Sequence, residues 1–110
     1  MVHRLMVQYG QPTDPAAFDK HYRDVHVGLA QAIPGVLRFT IGHGGPVDPS
    51  QPAPYLVAEL DFESAEAMGG AMGSAAGQAA AADVPTFASG GASMSSFDVE
   101  DVSPDGSATS

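Results

Sequence analysis

The sequence predicts an α+β domain of ferredoxin-like type: a four-stranded antiparallel sheet with two helices on one face. Three observations predict it. Four segments read as strands and two as helices, in the order β-α-β-β-α-β, which is the split βαβ arrangement. The strand segments alternate apolar and polar residues, as strands with one buried face do. The chain has 110 residues, the size of one domain with a modest core.

Each element follows from local signals. Residues 2–9 alternate: His3, Leu5, Val7 and Tyr9 point one way, and Val2, Arg4, Met6 and Gln8 the other. After a turn at Gly10 to Thr13, Asp14-Pro15 is a helix start, an N-cap followed by proline at the first helical position. The helix runs over 15–32 and stops at Pro34-Gly35. Residues 36–43 read as the second strand, with Leu37, Phe39, Ile41 and His43 opposite Val36, Arg38 and Thr40. Residues 42–54 carry Pro46, Pro49, Pro52 and Pro54 and read as a loop. Residues 55–62 are the third strand, where Leu56, Ala58, Leu60 and Phe62 alternate with Tyr55, Val57, Glu59 and Asp61.

Ser64 caps a second helical stretch. Its glycines each cost roughly 1 kcal/mol relative to alanine, so a break is expected near Gly73-Ser74. A short alanine-rich helix follows, ending by Ala82. Asp83 to Phe87 then read as a turn that carries one large anchor, Phe87. Residues 92–100 are the fourth strand, in which Met94 and Phe97 cannot share a face without a bulge. The folded domain is expected over 1–100, with 101–110 a disordered tail of low apolar content.

The second face of the sheet is not fully polar, since Val2, Met6, Val36, Tyr55 and Val57 fall on it. An apolar face needs a cover. Both helices are committed to the other face, so a second copy of the chain is the simplest cover and a homodimer is expected.

Composition narrows the function. The chain carries 4 basic and 13 acidic residues, a formal charge of −9. Nothing basic follows Arg38. Phosphate backbones demand clustered Lys and Arg, so neither nucleic acid nor an anionic membrane surface is an expected partner. There is no cysteine, which removes disulfide and thiolate chemistry. No apolar run approaches the ~20 residues of a membrane helix, and no secretory signal pattern opens the chain. A cytoplasmic location is expected. The four histidines show no H-x-x-x-H or H-E-x-x-H spacing, so no metal site is expected. Gly42-His43-Gly44-Gly45 lacks a following helix and is not a nucleotide fingerprint.

The first helix holds the candidate chemistry. Phe18, Tyr22, His26, Leu29 and Ile33 recur at helical spacing and share one face. A tyrosine and a histidine one turn apart therefore sit in an apolar stripe. A buried imidazole beside a phenol is either packing, tied to a nearby polar group, or a proton-transfer pair. Neutral imidazole suits general base work, with an unperturbed pKa of about 6.5 that burial lowers. Tyr22 would donate a hydrogen bond to a substrate oxygen, or simply pack. Val7, Tyr9, Phe18, Phe39, Leu60 and Phe87 are the expected apolar walls. His21 lies about 140° from His26 round an α-helix and is expected in solvent.

The stretch Phe18…Tyr22…His26…Ile33-Pro34-Gly35, in this element order, resembles the EthD family of the dimeric α+β barrel superfamily. The resemblance spans roughly residues 2–100. It implies a pocket between sheet and helices with His26 pointing into it. Family members are associated with the degradation of ethers and aromatics and with polyketide tailoring. The resemblance implies relatives in the superfamily that include cofactor-free monooxygenases, lactone isomerases, polyketide cyclases and haem proteins. Three function classes follow. One is a cofactor-independent enzyme acting on a small aromatic, lactone or polyketide-like molecule by proton transfer, isomerisation, dehydration or oxygenation. Another is a non-catalytic small-molecule-binding accessory protein of an oxidative pathway. The last is a structural dimer. A cavity of roughly 300 Å³ or more beside His26 favours the first two; a filled interior favours the last.

Overall fold

In the computed structural model, which describes residues 1–104, one antiparallel sheet is covered on one face by helices. Its strands are β1 (His3–Tyr9), β2 (Arg38–His43), β3 (Leu56–Phe62) and β4 (Ala92–Asp98), in the order β2-β3-β1-β4. Every neighbouring pair is antiparallel. The two outer strands flank β3 and β1, as the split βαβ pattern requires. The greater part of the expected disordered tail lies outside the described residues.

Register fixes which side chains form the core. Leu5 stands opposite Leu60, Val7 opposite Ala58 and Tyr9 opposite Leu56. All of these are buried beneath the helices. Phe39 and Ile41 extend the same face from β2. On β4, Met94 lies opposite Val7 and Phe97 opposite Arg4. The two therefore occupy opposite faces, with an unbroken register and no bulge.

The first helix is continuous but not uniform. An α-helical turn pair, α1 (Pro15–His21), leads into a π-helical segment, Tyr22–His26, and then into α2 (Val27–Gln31). Asp14 caps the start through its carboxylate, which accepts from the Ala17 N–H at 3.1 Å. The Val27 N–H reaches back to the Tyr22 carbonyl, an i to i+5 bond that widens the helix by one residue. Beyond it the stripe slips by one position: Ala30, not Leu29, is buried, before Ile33 rejoins the core.

The second helical stretch breaks where the glycines predict, at Ser74, between α3 (Ala65–Gly73) and α4 (Ala75–Phe87). Ser64 and Ser74 cap the two helices by accepting from the Ala67 and Gly77 N–H groups. The expected end at Ala82 is corrected. The helix continues through Asp83, Val84 and Pro85 to Phe87. A proline there forfeits one helical hydrogen bond. The burial of Phe87 among aromatic rings and the bonds made by Asp83 and Thr86 hold the last turn helical.

The uncovered face departs from expectation at two residues. Val36 and Tyr55 precede their strands, so strand alternation does not govern them, and both pack toward the core. Leu37, expected on the core side, is exposed for the same reason. The uncovered face consists of Met6, Val57 and Phe97 set among polar residues. Its main feature is Arg4, which donates from Nε and Nη2 to the two carboxylate oxygens of Asp61 at 2.7 and 3.0 Å. Asp61 is buried while Arg4 stays partly exposed, so the pair is a half-desolvated, two-point contact.

Candidate functional site

The site begins at the π-helical segment. In an α-helix, residues five apart diverge by about 140°; the wider π turn brings them to one side. His21 and His26 therefore face the same partner, Asp83 on α4. His26 Nδ1 lies 2.9 Å from Asp83 Oδ2. His21 Nε2 lies 2.9 Å from Oδ1 and 3.0 Å from Oδ2 of the same carboxylate. The expectation that His21 is solvated is thus corrected: it is half-buried and bonded. Thr86 completes the cluster: its Oγ1 donates to the Asp83 backbone carbonyl at 2.6 Å and lies 3.1 Å from Asp83 Oδ1.

The electrostatics follow from this geometry. Burial lowers the His26 pKa, and the hydrogen bond and charge of Asp83 offset that only in part. His26 is therefore neutral near pH 7. Burial alone would raise the Asp83 carboxyl, but the hydrogen bonds from His26, His21 and Thr86 outweigh it and hold Asp83 below its ordinary value. A carboxylate accepts only, so the His26 nitrogen facing it carries the proton. The other ring nitrogen, Nε2, is then the basic one.

His26 is 6 % exposed and Tyr22 1 %. Their rings lie 5.0 Å apart. Burial raises the Tyr22 phenol, with neighbouring Tyr9 adding to the shift. Burial likewise pushes Tyr9 up to about 12, against a partial opposing hydrogen bond with Tyr22. Both phenols are therefore neutral at ordinary pH.

A cavity of about 30 Å³ lies between the sheet and the helices. Of the residues expected at the site, Tyr22, His26, Val7, Tyr9, Phe39 and Leu60 line it; Met72 and Met94 close it. Phe18 and Phe87 do not line it. Phe18 packs edge-on to Tyr9 and parallel to Tyr22. Phe87 contacts Tyr9, Tyr22 and His26 with ring centroids 5.0 to 5.7 Å apart. The two form the layer behind the cavity. Its volume is that of one water, well short of a substrate, so the interior is nearly filled. Among the described residues no group of three or more His, Cys, Asp and Glu is placed to hold a metal ion.

Asp83 is the residue that sequence reasoning missed. A signal was present: it is the one charged side chain between Glu66 and Asp98. A second tie also went unread. The Tyr55 hydroxyl donates to Asp19 Oδ1 at 2.8 Å, and His43 Nε2 sits 3.2 Å from the same oxygen. It fastens α1 to the mouth of the long loop.

The sheet order, the helix layer and a histidine-bearing first helix define a ferredoxin-like α+β domain with a small interior site. The EthD domain matches over residues 10–91, and the chain belongs to the EthD family. An uncharacterized 11.0 kDa protein from the thcB-thcC intergenic region of Rhodococcus erythropolis is 48% identical over 103 residues, covering 94% of this chain and 100% of that protein. The crystal structure of an EthD family protein from Bacillus halodurans superimposes with a TM-score of 0.82 at 28% identity, over 91% of this chain and 100% of the other. A dimeric ferredoxin-like protein of unknown function from Thermobifida fusca shares the fold with a TM-score of 0.68 at 13% identity, over 90% and 92% of the two chains. SnoaB, a cofactor-independent oxygenase from Streptomyces nogalater, shares it with a TM-score of 0.61 at 15% identity, over 94% and 97%. No helix of the described residues is long and apolar enough to cross a membrane.

Proposed function

We propose that this protein is a cofactor-independent enzyme that moves a proton on a small hydrophobic molecule, aromatic, lactone or polyketide-like, with His26 as the base. Abstraction of an acidic C–H proton is one way to start isomerisation, dehydration or oxygenation of such a molecule. The observation that carries this reading is the neutral, buried His26 whose Nδ1 is held by Asp83. That bond fixes the ring and leaves Nε2 as the acceptor. Tyr22, a neutral phenol one turn away, is the donor to the substrate oxygen that gains charge. Likeness to a cofactor-independent oxygenase supports the fold's suitability for this chemistry, and no more than that.

The cavity must widen for a substrate to enter. Met72 and Met94 close it, and both are flexible, unbranched side chains. Met94 sits on the edge strand and is half exposed. The reading also includes a homodimer formed through the uncovered sheet face, which would place a second copy over Met6, Val57 and Phe97.

The test is deuterium uptake in heavy water by a panel of lactones and aromatic ketones with acidic C–H bonds. Wild type is expected to accelerate exchange on a subset, and His26→Gln to lose about 10²–10⁴ of that rate, the usual worth of a general base. A variant that exchanges as fast as wild type defeats the reading. One observation favours a second reading, a structural dimer: the cavity of about 30 Å³. On that reading the panel shows no turnover, and His26→Gln instead costs roughly 1–3 kcal/mol of stability, because Asp83 loses a buried partner.

A further inference from the structure

A second hollow lies on the opposite side of Phe87 from the His26 cavity. It is a surface groove of about 380 Å³ between the start of α1 and the end of α4. Thr13, Asp14, Phe18, His21 and Phe87 are among its walls, with Ala17 on its rim. The groove falls within the range of small-molecule sites, roughly 300–1,000 Å³, whereas the interior cavity does not.

Its chemistry is specific. Phe18 and Phe87 meet edge-on with centroids 5.1 Å apart, and the His21 ring stacks on Phe87 at 5.0 Å and 27°. Phe18 is buried behind the other two at 2% exposure, so the aromatic surface that a flat ring can reach is that of Phe87 and His21. His21 gives its Nε2 to Asp83 at 2.9 Å. Since the carboxylate only accepts, that nitrogen carries a proton, and in the singly protonated ring Nδ1 is left as an acceptor. Asp14 spends one carboxylate oxygen, Oδ1, on the Ala17 N–H, and its second oxygen adds another acceptor. The walls therefore ask for a hydrogen-bond donor. An anion is disfavoured by Asp14 at the wall, by Asp83 behind His21 and by the chain's charge of −9.

We propose that this groove binds a neutral, planar aromatic bearing a hydroxyl, a phenol-type ligand, with its ring against Phe87 and its O–H donated to His21 Nδ1. The assignment does not rest on His26 acting as a base. It makes His21, through the shared Asp83, the point at which an occupied groove touches the partner of His26.

Amide and imidazole NMR titrations with phenol and with benzoate test it. Phenol is expected to saturate with a Kd of about 1 mM, shifting the amides of Ala17, Thr86 and Ser89 and the ring of His21. Benzoate is expected to bind at least about tenfold more weakly. Ala17→Leu, at an exposed rim position away from both histidine–carboxylate bonds, is expected to fill the groove and weaken phenol by about tenfold while the His26 ring signals stay in place. Equal affinity for the two ligands overturns the proposal. So does undiminished binding by the variant, or a response centred on His26 and Ala30 instead of Ala17 and Thr86. None of these outcomes touches the exchange rate lost in His26→Gln, so the two readings fail separately.

Discussion

Asp83 bears the greatest demand of any residue in the chain, because one carboxylate serves two imidazoles and a hydroxyl. Asp83→Asn keeps the shape but presents an amide N–H₂ as one of its two faces. If that face meets His26, Nδ1 must become the acceptor and Nε2 takes the proton, so the base is lost by tautomer alone. The variant is expected to lose about 10²–10⁴ of any exchange rate that depends on His26 and about 2 kcal/mol of stability, for a charged hydrogen bond made neutral. Nitrogen-15 shifts of the His26 ring read the tautomer directly; an unchanged ring would refute the positioning role. Acid should expose the same pair. A histidine whose folded pKa lies below its unfolded value binds fewer protons when folded, so stability rises with pH across that window. Burial lowers His26, so stability is expected to be full above about 6.5 and to fall as pH drops below it. Asp83 is also lowered; its contribution is present above about 4 and is lost as pH falls through the folded value. Denaturant melts from pH 8 to pH 3 should show two steps of loss, the first missing in His26→Gln and the second reduced in Asp83→Asn.

Among the elements, the α3–α4 corner shows how the same residue type serves opposite ends. A Cβ on Gly77 would collide with the Ala71 carbonyl and the Met72 backbone, whereas one on Gly69 would meet nothing. Alanine favours a helix over glycine by roughly 1 kcal/mol at either position. Gly69→Ala is expected to stabilise the domain by up to about 1 kcal/mol. Gly77→Ala is expected to destabilise it by about 1–3 kcal/mol, because overpacking outweighs propensity. Thermal melts of the two single variants check the opposite signs. The π-helical segment is the other element that local rules miss. Tyr22 and His26 keep the α-helical spacing, so the stripe looks regular up to His26. The slip shows only beyond it, where Ala30 is buried in place of Leu29, and in the pairing of His21 with Asp83. Such single π turns are frequent at functional sites.

For the whole molecule, the uncovered surface is the bare face of the sheet and the edge strand β4, all seven of whose residues are exposed. Met94 and Phe97 stand out among them, and an exposed edge strand invites pairing with another chain. Solved proteins of this fold include ones described as dimeric. The proposed homodimer would bury on the order of 1,600 Å² or more in total. Light scattering at micromolar concentration is expected to give twice the chain mass; a monomer would refute it. Phe97→Asp, at an exposed position on that face, is expected to raise the dimer dissociation constant by about tenfold or more while leaving the far-ultraviolet spectrum of the domain intact.

What the chain determined by itself was local and periodic. The strand faces of β1 and β3 followed from strict alternation. The starts of the first and second helical stretches followed from Asp14 and Ser64, whose side-chain oxygens each satisfy a free N–H within the same turn; the cap at Ser74 was read only as a break. The buried face of the first helix was legible at Phe18, Tyr22 and His26 because three residues at α spacing need no knowledge of what covers them. Tertiary structure decided the rest. Asp83 lies 57 residues from His26 in sequence, and no local rule brings a carboxylate in an alanine-rich run to an imidazole. Phe87 was read as the anchor of a turn, yet it stands in the last turn of a helix and lines the surface groove, because aromatic contacts with three other elements outweigh the proline two residues before it. Val36 and Tyr55 joined the core because the strands begin two residues and one residue later than alternation alone implies. Spacing names the faces of an element. What those faces meet is set by packing between elements, and the chemistry of this site lies in that second step: two histidines on one helix acquire a shared partner only when α4 docks against them.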